Sequence, residues 1–89
     1  MAEGKHRPLP VEFSTDWPRT VIEQHEAETA RLFVLQLLDA MHGRSVRSLA
    51  RDAGLDEKTL RKIIAGVSWP DLRTIARLEN TTGRKLFPR

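Results

Sequence analysis

Residues 45–65 read SVRSLARDAGLDEKTLRKIIA, and this stretch decides the fold that the sequence predicts. Two short helices that pack at a steep angle need a small residue in the first helix, a glycine at the turn and apolar anchors in the second. Gly54 stands four residues after Ala50, where that turn must fall. The inner positions are Leu49, Ala50, Gly54, Leu55, Leu60 and Ile63. Their spacing predicts a helix-turn-helix over about residues 46–65.

Capping residues indicate where the helices in and after this stretch begin and end. The expected helices cover about residues 46–53, 56–65 and 70–82. Ser45 and Asp56 have side-chain oxygens that can cap the first two, and Pro70 is suited to open the third. Gly66 and Gly83 follow the second and third helices, where a left-handed residue commonly ends a helix.

A longer helix is predicted before these three, from about Thr20 to Met41, with Gly43 as its stop. At about 100° per residue, one of its apolar stripes faces the core and consists of Ala30, Phe33, Val34, Leu37, Leu38 and Met41. A second apolar stripe points away from that core and consists of Val21, Leu32 and Leu35. Because a helix in a small monomer usually has one apolar face, we expect the N-terminal segment or another subunit to cover this second stripe.

Residues 1–19 are predicted to form a short extended arm. Three of the five prolines in the chain lie there, which argues against a long helix. The apolar residues of the arm that could cover the second stripe are Leu9, Val11, Phe13 and Trp17. We expect Asp16 to cap the long helix, with Pro18 in its first turn. The whole chain is therefore predicted to be all-α, with this arm followed by one compact domain of about five helices over residues 20–89.

The charge of the chain is unevenly distributed. Residues 1–42 hold four basic and seven acidic side chains, whereas residues 43–89 hold eleven basic and five acidic ones. The net charge of +3 therefore combines a negative first part with a strongly positive second part. Positive charge around the predicted helix-turn-helix is expected of a protein that binds a polyanion, although charge without a motif more often reflects a solvated surface.

Residues 45–83, SVRSLARDAGLDEKTLRKIIAGVSWPDLRTIARLENTTG, resemble the phage-repressor and Cro type of helix-turn-helix protein, the XRE-like family. The likeness continues beyond the turn through Gly66, Pro70, Asp71, Leu72, Thr74, Ile75, Leu78 and the terminal Gly83. The resemblance implies a compact bundle of about five helices that binds operator DNA, often as a dimer. Val46 departs from the family pattern, which often has a phosphate-contacting glutamine at that position.

The outer face of the second helix is the predicted DNA-reading surface, since its apolar anchors face inward. This face presents Glu57, Lys58, Thr59, Arg61 and Lys62, with the N-terminal end of the helix in the major groove. Lys58 is suited to donate to guanine, and Glu57 to accept from a cytosine amino group. The resemblance implies base reading by Glu57, Lys58 and Lys62, and phosphate contacts by Thr59 and Arg61. The alternative is a solvated helix face that binds nothing.

Phosphate contacts are expected on both sides of this helix. Arg44, Ser45 and Arg47 stand at the start of the preceding helix, where cations and backbone N–H groups suit an anion. Ser68 and Arg73 precede or begin the last helix and are placed to contact the DNA backbone on the other side. The arm residues that could reach a minor groove are Lys5, His6 and Arg7, although a solvated terminus is the more frequent outcome.

Other functional classes find little support in the sequence. There is no glycine-rich phosphate loop and no nucleophile set, and the three histidines show no metal-ligand spacing. The absence of cysteine excludes a disulfide framework and a thiolate metal site. Neither enzymatic activity nor a cofactor is therefore expected. The start MAEGKHRPLP lacks the apolar run of a secretory signal, and no apolar stretch is long enough to cross a bilayer, so we expect a cytoplasmic protein that is nucleoid-associated when bound to DNA.

The leading hypothesis is a transcriptional repressor that reads double-stranded DNA with the helix at residues 56–65. A homodimer is expected, because one recognition helix covers only a few base pairs. A first alternative is the antitoxin of a toxin–antitoxin pair, which would bind its own operator and hold the toxin on Val21, Leu32 and Leu35. A second is a protein-interaction module without DNA binding, against which the cations of the predicted recognition helix argue.

Overall fold

The computed structural model describes residues 8–88, and this part of the chain contains helices and no strand. A 3₁₀ helix, Pro10–Phe13, precedes four α-helices. These are α1 (His25–Met41), α2 (Val46–Ala53), α3 (Glu57–Ile64) and α4 (Leu72–Thr82). The predicted all-α bundle with a helix-turn-helix is confirmed, but residues 20–88 form four α-helices and not five, and the 3₁₀ helix lies in the predicted N-terminal arm.

The N-terminal arm is extended only in part. Its residues Leu9 and Ser14 have extended backbone, but Pro10–Phe13 between them forms a 3₁₀ helix. Proline is preset for the first position of a helical turn, and the carboxylate of Glu12 accepts a hydrogen bond of 3.0 Å from the N–H of Leu9. The turn is therefore held by local contacts that the alternating apolar pattern did not indicate.

Helix α1 begins at His25, and the predicted start at Thr20 is wrong. Gln24 caps the helix, because its side-chain oxygen accepts a hydrogen bond of 2.7 Å from the N–H of the third helical residue. The expected cap, Asp16, lies well before the helix and forms an ion pair of 2.9 Å with Arg19.

A buried ion pair explains why the residues before α1 do not continue the helix. The guanidinium of Arg31, which is only 6% exposed, contacts Glu28 at 2.7 Å and donates to the carbonyl of Pro18 at 3.2 Å. Glu28 also accepts a hydrogen bond of 2.8 Å from the N–H of Ile22. These contacts hold residues 18–22 against the side of α1, so Pro18 lies outside the helix and not in its first turn.

Because of this ion pair, we expect the protein to lose stability in acid. The hydrogen bonds from Arg31 lower the pKa of Glu28 from 4.5 to about 2. A carboxylate with a lowered pKa stabilises the fold above its unfolded pKa, and that stabilisation is lost as the pH falls through the folded pKa. We expect the free energy of unfolding, measured by urea titration, to fall between about pH 4.5 and about pH 2. The free energy of unfolding of the Glu28→Gln variant should fall less over this pH range. An equally steep fall in the variant would mean that Glu28 is not the carboxylate responsible.

The core lies between all four α-helices and the C-terminal segment. Its fully buried large side chains include Phe33, Leu37, Leu49, Leu60, Leu78 and Leu86. The predicted anchors of the second short helix and most of the predicted α1 stripe are buried. Leu38 is the exception, because α1 turns Leu37 and Met41 towards the other helices and leaves Leu38 exposed beside Leu35.

Helix α4 begins at Leu72, so the prediction that Pro70 opens it is wrong. Asp71 caps the helix by accepting a hydrogen bond of 2.8 Å from the N–H of its third residue, which leaves Pro70 before the cap. The carboxylate of Glu79 in α4 accepts a hydrogen bond of 2.8 Å from the N–H of Leu86, which follows the helix. This contact folds the C-terminal segment back and places the side chain of Leu86 in the core.

The second apolar stripe of the long helix is not enclosed in the part of the chain between residues 8 and 88. Val21 lies in the segment before α1, and Leu32 and Leu35 lie on the outer side of α1; all three are exposed. The N-terminal 3₁₀ helix packs against α1 but leaves these three residues exposed, and the N–H of Val11 donates to the carbonyl of Gly66 at 2.9 Å. Leu32 and Leu35 are therefore open to solvent on α1, and the prediction that Val21 shares their helix face is wrong because α1 begins only at His25.

Candidate nucleic-acid interface

Side-chain caps and a glycine turn fix α2 and α3 relative to each other. The hydroxyl of Ser45 accepts a hydrogen bond of 3.0 Å from the N–H of Ser48. The carboxylate of Asp56 likewise accepts one of 3.0 Å from the N–H of Thr59. Between the helices, Gly54 has φ +70°, the left-handed conformation that glycine adopts without strain. The predicted caps and turn are confirmed at these positions.

Two lysines dominate the outer face of α3. Lys58 and Lys62 lie one helical turn apart and both are exposed. Within residues 8–88, neither side chain has an ion-pair or hydrogen-bond partner. Because α3 buries Leu60 and Ile63 on its opposite side, both ammonium groups face solvent and are available to an anion.

Glu57 lies between two arginines at the start of α3. Its Oε2 accepts hydrogen bonds from Nη2 and Nε of Arg61 at 2.7 and 2.8 Å. Its Oε1 lies 3.3 Å from Nε of Arg47, which belongs to α2. The hydrogen bonds from Arg61, and secondarily from Arg47, hold the pKa of Glu57 below its usual range. The structure thus brings three predicted site residues together in one cluster that connects α2 and α3.

Arg44 does not project from the start of α2. Its guanidinium donates to the carbonyl and the hydroxyl of Ser48 at 3.2 and 3.1 Å and forms an ion pair with Asp52. The contacts of Arg44, followed by those of Arg51, lower the pKa of Asp52. The charge of Arg44 is therefore largely balanced within α2, which the sequence did not indicate.

The remaining predicted site residues lie at the edges of this face. The hydroxyl of Thr59 donates to the Asp56 carboxylate at 3.2 Å and so extends the cap of α3. Ser68 is half-buried in the loop after α3, and Arg73 is exposed in the first turn of α4. The predicted minor-groove residues Lys5, His6 and Arg7 lie outside the described residues.

Three hydrogen bonds join the N-terminal segment to the end of α3 and the loop that follows. Besides the contact of Val11 with Gly66, the indole N–H of Trp17 donates to the carbonyl of Ile64 at 2.8 Å, and that of Trp69 donates to the carbonyl of Pro8 at 3.1 Å. Trp17 also packs against the core cluster. The N-terminal segment therefore fixes the C-terminal end of α3, a role that the sequence did not reveal.

Among residues 8–88, no group of three or more histidine, aspartate or glutamate side chains is arranged to hold a metal ion. The helices of this region are also too short or too polar for any of them to span a membrane.

A helix-turn-helix family model matches residues 35–87, which is more than half of the chain. The matched region starts within α1 and contains α2, α3, α4 and the C-terminal segment that returns to the core. It therefore includes all the candidate interface residues from Arg44 to Arg73. No curated protein and no solved structure matches the chain.

Proposed function

This chain belongs to the XRE-like helix-turn-helix family of DNA-binding domains, and on that premise we propose that it is a sequence-specific transcriptional repressor. The observation that carries the proposal is the pair of exposed, unpartnered cations on the outer face of α3, Lys58 and Lys62. A duplex presents a dense row of phosphates, and cations that displace its counterions supply much of the affinity. The protein would repress by occupying a promoter.

In the proposed complex, α3 enters the major groove with its N-terminal end foremost. Lys58 donates to guanine, which presents two acceptors there. Lys62 lies one turn further from that end of α3, and we place it on a phosphate instead of the base edge that the family resemblance implies. The start of α2 adds backbone N–H groups and Arg47, which suit a second phosphate. Ser68 and Arg73 contact the backbone on the other side.

We further propose that the protein binds DNA as a homodimer, in the cytoplasm and associated with the nucleoid. One α3 spans few base pairs, and a two-fold dimer doubles the length of DNA that is read. We place the second copy on Leu32 and Leu35, the part of the second stripe that lies on α1, since exposed apolar surface in a small protein favours association. Light scattering should give the mass of two chains.

The same stripe supports one alternative, an antitoxin that binds a toxin protein there. The two candidates differ in what light scattering finds for the pure protein. A monomer that gains mass only when a small neighbouring gene is co-expressed would favour the antitoxin, whereas a stable dimer of the pure protein favours the homodimeric repressor.

Replacing Lys62 tests the DNA contact directly. We expect Lys62→Ala to weaken binding to a duplex and to reduce the slope of log affinity against log salt by up to about one unit, because one phosphate contact is lost. The measurement is fluorescence anisotropy with a labelled duplex over a range of salt concentrations. Lys85→Ala is the matched control, since Lys85 lies beside Leu32 and Gln36, away from α3. Equal slopes for Lys62→Ala and the wild type would exclude this contact.

A further inference from the structure

Glu57 is the only acidic residue of α3, and it lies on the face that the proposed function assigns to DNA. Its carboxylate bridges Arg61 of the same helix and Arg47 of α2 at 2.7 and 3.3 Å. One negative charge therefore offsets part of the two positive charges nearest to it. The carboxylate of Glu57 therefore reduces the attraction of the outer face of α3 for phosphate.

The fold itself gains little from this cluster. The side chains of Arg47 and Arg61 are 81% and 58% exposed, and ion pairs between exposed side chains contribute between zero and about 1 kcal/mol to stability. The caps at Ser45 and Asp56 and the buried apolar anchors already hold α2 against α3. The main energetic effect of Glu57 is therefore expected on ligand binding.

The two arginines cannot contact phosphates at full strength while they remain paired with Glu57. If they leave it for the DNA backbone, the carboxylate remains in a field of phosphates without a compensating cation. On non-cognate DNA nothing replaces that loss, because a duplex backbone offers no hydrogen-bond donor. At a cognate site, a cytosine amino group in the major groove can donate to the carboxylate. The penalty would thus fall mainly on non-cognate sequences.

We propose that Glu57 is a specificity-determining residue that weakens non-specific binding by holding Arg47 and Arg61 away from the phosphates. This inference rests on the proposed function. Discrimination between sites is a difference of two affinities, so an element that disfavours the wrong partner contributes to specificity even though it adds no affinity for the right one.

The test compares the wild type with Glu57→Gln, which keeps the shape of the side chain and removes its charge. The probe is a labelled duplex of random sequence, and the readout is anisotropy across a salt series. We expect Glu57→Gln to bind this duplex roughly threefold to tenfold more tightly at about 100 mM salt, with a salt slope steeper by up to about two, because up to two cations become available.

Asp39→Asn is the matched control. Asp39 pairs with Arg84 at 2.9 Å, so this variant also removes one negative charge and one exposed ion pair, but on α1. Its affinity for the random duplex should stay within about twofold of the wild type, because Asp39 lies on α1, outside the proposed interface, and salt weakens the interaction between distant exposed charges. Circular dichroism and a urea titration establish that both variants are folded.

The outcomes separate this inference from the proposed function. If the wild type binds the duplex and Glu57→Gln binds it no more tightly, the inference is wrong and the proposed DNA binding stands. An equal gain in Asp39→Asn also overturns it, because net charge alone would then explain the effect. If none of the three folded proteins binds the duplex, both the inference and the proposed function are wrong.

Discussion

Replacing Gly66 with alanine should destabilise the protein by about 3 kcal/mol or more, through a strained backbone and an overpacked contact. Gly66 has φ +78°, a backbone conformation that residues other than glycine rarely adopt. A Cβ built there would lie 2.7 and 2.9 Å from two ring atoms of Trp17 and 3.0 Å from the Cβ of Val11. The ring cannot withdraw freely, since its N–H is bound to the carbonyl of Ile64.

Gly83→Ala is the matched control for this prediction. Gly83 has φ +71°, but nothing lies within 4 Å of the position that an added Cβ would occupy. The control therefore isolates the backbone strain, which we expect to cost about 1 kcal/mol. Urea titrations of the two variants measure both losses. Equal losses would mean that the ring of Trp17 does not press on Gly66.

Reversing both free cations of α3, in Lys58→Glu/Lys62→Glu, should weaken binding to duplex DNA by about 100-fold or more at moderate salt. Each substitution removes a cation from the face of α3 and places a carboxylate before the phosphates. The salt slope should fall by at least about one, because the phosphate contact of Lys62 is lost. The readout is anisotropy with a labelled duplex.

The reversal should leave the fold intact, since both lysines are exposed and unpartnered within residues 8–88. Circular dichroism provides that check. Lys85→Glu, a reversal away from α3, should lose far less affinity. If the double variant is folded and binds as tightly as the wild type, α3 is not the surface that contacts DNA.

The helix-turn-helix was predictable because its determinants are local. The caps at Ser45 and Asp56 act on backbone groups three residues away, and Gly54 satisfies a turn between adjacent helices. Because the interacting residues are only a few positions apart, the sequence pattern alone shows which of them will be close in the structure. The start of α1 was not predictable in this way, because Arg31 reaches back to Pro18 and competes with helix formation there.

Contacts between distant residues account for most of what the sequence did not reveal. Trp17 binds the carbonyl of Ile64 across a separation of 47 residues, and no local pattern indicates which element an N-terminal tryptophan will meet. The exposure of Leu38 likewise depends on the side from which the other helices approach α1.

In the candidate site, too, local features were predictable from the sequence and contacts between helices were not. The periodicity of α3 placed Lys58 and Lys62 on one exposed face. The pairing of Glu57 with Arg47 depends on the angle between α2 and α3, which spacing alone does not specify. The sequence predicted a phosphate contact for Arg44 but did not indicate its ion pair with Asp52, one of several acceptors within reach of a long side chain.

The most direct test of DNA binding by α3 is the affinity of the wild-type protein for a labelled duplex of about 25 base pairs, measured by anisotropy from about 50 to about 250 mM salt. We predict binding at low salt that weakens steeply and linearly on logarithmic axes, with the release of several ions. A folded protein that fails to bind at the lowest salt concentration would contradict the assignment of α3 as a DNA-binding surface.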